Sequence, residues 1–361
     1  MKKMRVAIIG CGGIAVGKHM PALKQLDNVE MVAFCDVKEE RAIKAAKEYG
    51  TPDAKVYTDY KELLKDESID NVRICTPNRW HCEMTVAALN AGKDVMCEKP
   101  MAINYKEACE MVEASKKTGK VLTIGYQHRY DPDVVYAKKE AEKNTFGEMY
   151  FAKCNVMRRR GVPTWGVFTI KSEQGGGSVI DIGTHALDTL LYIMDNYKPK
   201  MVLGTTYDKL KNQTEPGNPF GPWDIETYDV EDCGFGYIVM ENGATIILET
   251  ATNLNTTDVA GVRYMICGTE AGVDNYGGKF KINGVTNDRQ WITEPDFSQG
   301  GVTFYSGTLM TNAVMEQKVF LDATQGKAEL PVDAEKTAVI THIIDGIYES
   351  ARTGEPYYFN K

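Results

Sequence analysis

"RVAIIGCGGIA", Arg5 to Ala15, sets an unbroken apolar run, Val6 to Ile9, directly ahead of a turn with almost no side chains. So short and apolar a run reads as a parallel strand buried on both faces. Gly10, Gly12 and Ala15 fit G-x-G-x-x-[G/A] at the start of an expected helix. In that pattern the first glycine permits a tight turn, and the second lets a pyrophosphate approach the backbone. A small third residue lets helix and strand pack closely. The helix start adds unpaired N–H groups and a positive dipole end. Alone, the motif also fits a plain turn. Asp36 narrows the choice, because it ends the second apolar run about 20 residues further on, where an acid accepts hydrogen bonds from the adenosine ribose. A carboxylate there repels a 2′-phosphate, so NAD is expected rather than NADP. The alternative is a cap on the helix expected from Lys38.

The same texture continues outward. Strand-like runs at Met31–Cys35, Val72–Cys75, Val95–Cys97 and Val121–Ile124 alternate with helical stretches at Lys38–Tyr49, Trp80–Ala91 and Tyr105–Thr118. This alternation implies right-handed crossovers and a doubly wound parallel sheet. After Gly125 hairpin signals take over: Tyr237–Met240, Asn242-Gly243 and Ala244–Leu248, with a second Asn-Gly at Asn283-Gly284. Helices are expected near Ile182–Met194 and Asp333–Ala351. The proline- and glycine-rich stretch Lys211–Asp224, with Pro216, Pro219 and Pro222, reads as an inserted loop. The expected fold is α/β: a Rossmann domain over 1–125, then a substrate and oligomerisation domain over 126–361 with a large, mostly antiparallel sheet.

A chain of 361 residues is long enough for two domains, and 43% hydrophobic with 25% charged residues suits a sizeable core. A net charge of -8 argues against nucleic acid and anionic membranes, which attract basic surfaces. No apolar stretch nears the ~20 residues of a membrane span. Lys2 and Lys3 mimic the start of an export signal, but the apolar run breaks at Gly10. The nine cysteines form no CxxC pair and several sit in strand-like runs. A disulfide framework and a zinc site are therefore not expected, and a reducing cytoplasm is.

Ligands of doubly wound sheets lie beyond the carboxyl ends of strands. Three such ends carry chemistry: "ICTPNRWH" with Thr76, Pro77, Asn78 and His81; "VMCEKP" with Glu98 and Lys99; and "IGYQHRYDP" with Gln127, His128 and Arg129. Lys99 is either an ordinary exposed lysine or an amine aimed at the ligand crevice. In "GGGSVIDIGTHALD", Asp181, His185 and Asp188 fall at i, i+4 and i+7, one face of a helix. Either His185 is a core histidine bonded to Asp188, or it handles a proton beside Asp181; spacing leaves both open. Further ligands with metal spacing are missing, and no metal is expected.

Taken together, these residues resemble the Gfo/Idh/MocA family, the relatives of glucose–fructose oxidoreductase and inositol dehydrogenase. The resemblance spans essentially the whole chain. It rests on G-x-G-G-I-A at Gly10–Ala15 (with Gly13 and Ile14 inside it), T-P-N at Thr76–Asn78, E-K-P at Glu98–Pro100, and D-x-G-x-H-x-x-D at Asp181–Asp188. It implies NAD as cofactor, held by Gly10, Gly12, Gly13, Ile14, Asp36, Thr76, Pro77, Asn78, His81, Glu98, Lys99 and Gln127. Lys99, Asp181 and His185 match the catalytic group. "YQHRYDP" departs from the family's commoner Asn-x-Arg. "RRRGVPTWG", Arg158 to Gly166, resembles members that oxidise the C3 hydroxyl of glucosides, and marks Arg158 and Trp165 as substrate residues. Arg158–Arg160 also fits a solvated strand end, and Trp165 also fits a core position. An open second sheet implies homo-oligomers.

The expected reaction is oxidation of a secondary sugar or glycoside hydroxyl to a ketone. A lysine (~10.4) is protonated at neutral pH unless burial near a cationic nicotinamide lowers it toward ~7 to 8, whereas histidine needs no shift. His185 is therefore the expected base, with Lys99 on the developing alkoxide and Asp181 orienting; the two roles are interchangeable on sequence grounds. The rivals are an NAD-dependent glycosidase working by transient C3 oxidation and a non-enzymatic NAD-sensing regulator. The ordinary D-x-G-x-H pattern disfavours the first. A regulator has no need to keep Lys99, Asp181 and His185 together.

Overall fold

A computed structural model describes residues 3–213, 215, 217–297 and 310–360; Pro216 and Lys2 lie outside them. By packing, the described parts of Met1–Tyr130 and Thr308–Ala338 form one compact unit, and those of Asp131–Gly307 and Val339–Lys361 a second. A single cut at 125 thus misses a return of the chain. The helix Asn312–Thr324, which has no counterpart among the expected elements, packs in the first unit, burying Val314, Phe320 and Leu321.

The first unit is built on a six-stranded parallel sheet: β1 (Met4–Ile9), β2 (Val29–Cys35), β3 (Lys55–Tyr57), β4 (Asn71–Ile74), β5 (Asp94–Cys97) and β6 (Leu122–Ile124), in the order β3-β2-β1-β4-β5-β6. Val6, Ala7, Ile8 and Ile9 are at most 2% exposed, as a strand covered on both faces requires. Each branched side chain so buried contributes about 1.5–3 kcal/mol. Ile9 pairs with Cys35 on one side and Ile74 on the other, so β2 and β4 diverge from the end of β1 at the topological switch point. The sequence patterns for Glu39–Tyr49, His81–Asn90 and Tyr105–Thr118 correspond to helices. The last is punctuated locally. Asn104 Oδ1 accepts from Glu107 N, Asn104 Nδ2 donates back to Glu107 Oε1, and Gly119 at φ +67° closes the far end. The short strand β3 and the helix Tyr60–Leu64 went unread.

The second unit carries β7 (Met149–Met157), β8 (Pro199–Tyr207), β9 (Cys233–Met240), β10 (Thr245–Ala251), β11 (Ala260–Gly268), β12 (Ala271–Asp274), β13 (Lys281–Thr286), β14 (Arg289–Thr293) and β15 (Tyr357–Tyr358). They form one sheet, ordered β14-β13-β12-β11-β7-β10-β9-β8-β15, in which only β7 and β10 run parallel. Alternation splits its faces. The cross-strand row Val202, Ile238, Ile246, Ala152 and Ile266 is fully buried. The neighbouring row turns Leu203 and Tyr237 outward, 44% and 47% exposed. On the buried face lie Thr184–Met194, which sinks Leu187, Leu190 and Leu191, and Ile347 of Ala334–Thr353, which occupies the space a Cβ on Gly204 or Gly236 would need.

The hairpin at Asn242-Gly243 forms as read, with Gly243 at φ +89° between β9 and β10. Asn283-Gly284 is not a turn. Both residues sit inside β13, and the chain reverses at Asn287 and Asp288, at φ +51° and +58°. Gly284 is needed for a different reason: it pairs with Trp291, whose ring lies where a Cβ would project.

Candidate active site

The glycine turn closes on an acid. Gly10, at φ +90°, brings its Cα so near β4 that an added Cβ would stand 2.6 Å from Cys75 O. The next residue, Cys11, donates its N–H to Asp36 Oδ2 at 2.9 Å, while Asp36 Oδ1 accepts from Lys38 N at 2.9 Å. Asp36 therefore braces the turn and folds the chain back just ahead of the following helix, and its carboxylate keeps lone pairs for a ligand hydroxyl. Gly12 and Gly13 have nothing within 4 Å of where a Cβ would be, which is the open cradle a phosphate needs. The helix leaves this turn through a π-helical stretch, Ala15–His19, before settling into Met20–Lys24. Such insertions cluster at functional sites. Ile14 is 44% exposed on this rim.

At the end of β4, Thr76 keeps a buried hydroxyl with no partner among the described residues, next to exposed Pro77 and buried Asn78. His81 is a correction. It is fully buried and engages Pro100 O at 2.7 Å and Thr76 O at 3.0 Å with its two ring nitrogens, so it supports the rim from behind and has no face for a cofactor. Burial pushes its pKa down despite both carbonyls.

Glu98 ends β5 inside a polar cluster that motif reading did not find. Its Oε1 accepts from Lys18 Nζ at 2.9 Å and from His19 Nε2 at 2.6 Å, and its Oε2 from Lys99 N at 3.1 Å. Burial alone would raise this carboxyl, but Lys18 and His19 hold it well below the usual carboxylate range. Lys18 lies 3.0 Å from Glu316 as well, and the two carboxylates hold its ammonium above the ordinary lysine value against the pull of burial. Glu98 is thus tied into the protein by one oxygen and to the chain carrying Lys99 by the other. Lys99 and Gln127 are half-buried at neighbouring strand ends. Cys11, by contrast, is an inert thiol, pushed up to about 12 by burial.

In the second unit, Asp181 lies in a π-helical stretch, Val179–Gly183, which runs into Thr184–Met194 carrying His185 and Asp188. The wider π turn breaks the even i, i+4, i+7 face expected of an α-helix. Asp181 and His185 are half-buried, and Asp188 is fully buried. The three glycines ahead of them, Gly175–Gly177, admit Glu231 and Tyr348, whose atoms occupy the Cβ positions of Gly177 and Gly176. Glu231 accepts from Gly177 N at 2.7 Å, Val179 N at 2.9 Å and Tyr348 Oη at 2.8 Å, which anchors the stretch that presents Asp181.

The arginine run is not simply solvated. Arg158 Nη1 donates to Gly161 O at 3.1 Å, and Arg160 Nη2 to Asn255 Oδ1 at 2.8 Å. Trp165 is not core either; it is 53% exposed, edge-on to Phe220 and Phe168 with centroids 4.9 and 5.9 Å away. All nine cysteines are free. Among the described residues no helix is long and apolar enough to cross a membrane.

Gly12, Asp36 and Thr76 thus fit a dinucleotide: an open cradle at the glycine turn, an acid at the end of β2 and a buried hydroxyl with no partner among the described residues. The family model for the NAD-binding Rossmann fold of the Gfo/Idh/MocA oxidoreductases matches residues 4–126, and that for their C-terminal alpha/beta domain matches 138–359. The chain belongs to the Gfo/Idh/MocA oxidoreductase family. It is 35% identical over 351 residues to the D-glucoside 3-dehydrogenase of Escherichia coli K12, covering 97% of this chain and 96% of that protein. It is 30% identical over 191 residues to the myo-inositol 2-dehydrogenase of Thermotoga maritima, covering 53% and 55%. Its fold is similar to levoglucosan dehydrogenase in complex with NADH, with a TM-score of 0.82 at 22% identity over both whole chains. NAD is the cofactor of this Gfo/Idh/MocA oxidoreductase, and its Rossmann domain is the α/β sheet described above.

Proposed function

We propose that the protein oxidises a secondary hydroxyl of a sugar or glycoside, at C3 of a glucoside, to a ketone. The observation that carries this reading is the 35% identity to a D-glucoside 3-dehydrogenase over nearly the full length of both chains. NAD, when bound, supplies the acceptor for the two electrons and the hydrogen that leave carbon. Of the chain's own residues, Gly10, Gly12, Gly13 and Ile14 hold its phosphates, Asp36 its ribose, and Thr76, Pro77, Asn78, Glu98 and Gln127 line the strand ends. His185 takes the hydroxyl proton as general base, Lys99 holds the developing alkoxide, and Asp181 orients the sugar. Trp165 offers an exposed aromatic face to the sugar or aglycone, and Arg158 lies at the base of the same loop.

The protein acts in the cytoplasm, a reading supported by nine free cysteines. It assembles as a homo-oligomer through the open face of the second sheet, where Leu203 and Tyr237 face outward.

The test is a screen of glucosides, inositols and free sugars with NAD, following NADH absorbance and aglycone release and locating the oxidised carbon by NMR. Net NADH with a ketone at C3 of a glucoside is the expected result. Aglycone release without net NADH would make the protein a glycosidase. NAD binding without any turnover would make it a sensor.

A further inference from the structure

We propose that Gln317 and His19 are positioning residues for Lys99, acting through Glu98. The inference rests on the reading of Lys99 as catalytic and adds how the chain aims it. Its basis is a one-way series of hydrogen bonds inside the first unit. Arg73 can only donate, and its Nε meets Gln317 Oε1 at 2.6 Å. That fixes which end of the Gln317 amide faces which way. Gln317 Nε2 therefore donates to His19 Nδ1, 2.9 Å away. With Nδ1 as acceptor, a neutral His19 carries its hydrogen on Nε2 and donates it to Glu98 Oε1 at 2.6 Å.

Burial gives the series its stiffness. Arg73, Gln317 and His19 are fully buried and Glu98 is 5% exposed, so bulk solvent does not reach these groups. A carboxylate held by one donor can swing about its last torsion. Here Lys18 and His19 both hold Oε1, which turns Oε2 toward Lys99 N. The backbone of Gly125 lies beneath the carboxylate, where an added Cβ would come 3.0 Å from Oε1. Fixing the plane of Glu98 thus fixes the peptide from which Lys99 projects, and small misplacements of a catalytic group are costly.

Gln317→Glu tests this without orphaning Arg73. It keeps an oxygen toward Arg73 but replaces the N–H that faces His19, so His19 must take up a second proton or change tautomer. Three measurements on the full chain decide. Imidazole 15N NMR of the wild type is expected to show His19 protonated on Nε2 only, and the variant is expected to lose that state. Hydrogen exchange at the Lys99 amide is expected to accelerate in the variant, while the Glu98 amide, bonded to Ile74 O in the sheet, stays protected. kcat is expected to fall roughly tenfold or more, with substrate KM held. Gly125→Ala, whose Cβ presses on Glu98 Oε1 and so disturbs the last link while Arg73, Gln317 and His19 are unaltered, should give the same exchange signature.

An Nδ1–H tautomer in the wild type overturns the proposal. So does Lys99 exchange unchanged in both variants, or acceleration at Glu98 and Lys99 alike, which would mean general loosening. The tautomer and exchange results stand without turnover. If they hold while Lys99→Ala is fully active, it is the catalytic reading of Lys99 that fails, not the relay.

Discussion

Gln317 donates its side-chain N–H to Nδ1 of His19 across 2.9 Å, although 298 positions separate them in the chain. The bond brings a late helix, Asn312–Thr324, onto the first helix after the glycine turn. It also makes the strand end bearing Glu98 and Lys99 depend on residues far outside the Rossmann sequence pattern.

The glycine turn separates two roles that one motif combines. Gly10→Ala forces a side chain into φ +90° and onto Cys75 O, at a cost of roughly 1–3 kcal/mol from the backbone alone. Gly12→Ala meets open space, so stability should stay within about 0.5 kcal/mol while NAD affinity drops. Urea unfolding and NAD titration of both variants check this; equal unfolding midpoints for the two would contradict it.

Asp36→Ala removes the acceptor for Cys11 N and Lys38 N together with the charge proposed to meet the ribose. A hydrogen bond to a charged group is worth about 1.5–3 kcal/mol, or roughly 10- to 100-fold in affinity. NAD binding should weaken by that amount, and the preference over NADP should narrow. Unchanged discrimination would show that Asp36 acts only as a brace.

His185→Ala and Lys99→Ala should each lower kcat by roughly 10²- to 10⁴-fold, the usual contribution of a proton-handling group. His185→Ala should leave NAD affinity intact. Steady-state kinetics with the substrate found by screening, beside NAD titration, measures both. Near-normal turnover in either variant removes that residue from the mechanism.

The buried ion cluster sets the response to pH. Glu98 titrates in the fold well below its unfolded value of ~4.3. Its contribution is therefore complete above that pH and drains away as pH falls through the lower folded value. Lys18, held above ~10.4, contributes fully at neutral pH and loses its share as pH rises from that value through its folded one. Glu231 has the opposite sign: burial raises it, so its contribution declines as pH climbs from ~4.3 through its folded value. Unfolding free energy followed into acid should fall less steeply for Glu98→Gln than for the wild type. Parallel acid limbs would count against the cluster.

Much of this is legible in the sequence. The strands and the crossover helices are governed by neighbours within a few residues, so composition and spacing reveal them. Asn283-Gly284 misled because Asn-Gly is a turn signal only when nothing else needs the glycine, and here Trp291 does. His81 misled in a similar way. A polar residue near a strand end faces a ligand only if the backbone leaves it free, and this one is taken by Pro100 O and Thr76 O.

From its sequence alone this chain reads as a two-sheet α/β protein with a glycine turn and an acid, Asp36, at the end of its second strand, and its resemblance to the Gfo/Idh/MocA family singles out Lys99, Asp181 and His185. The sheets and the turn follow from short-range rules: strand and helix periodicity, and the φ that only glycine accepts at position 10. Tertiary structure alone decided that Lys18, His19, Glu316 and Gln317 enclose Glu98, and that Glu231 and Tyr348 seat the Asp181 stretch. Each is a partnership of buried polar groups from distant segments. Such groups must find a donor or acceptor wherever packing brings one within about 3 Å, and the linear order of the residues does not encode that meeting.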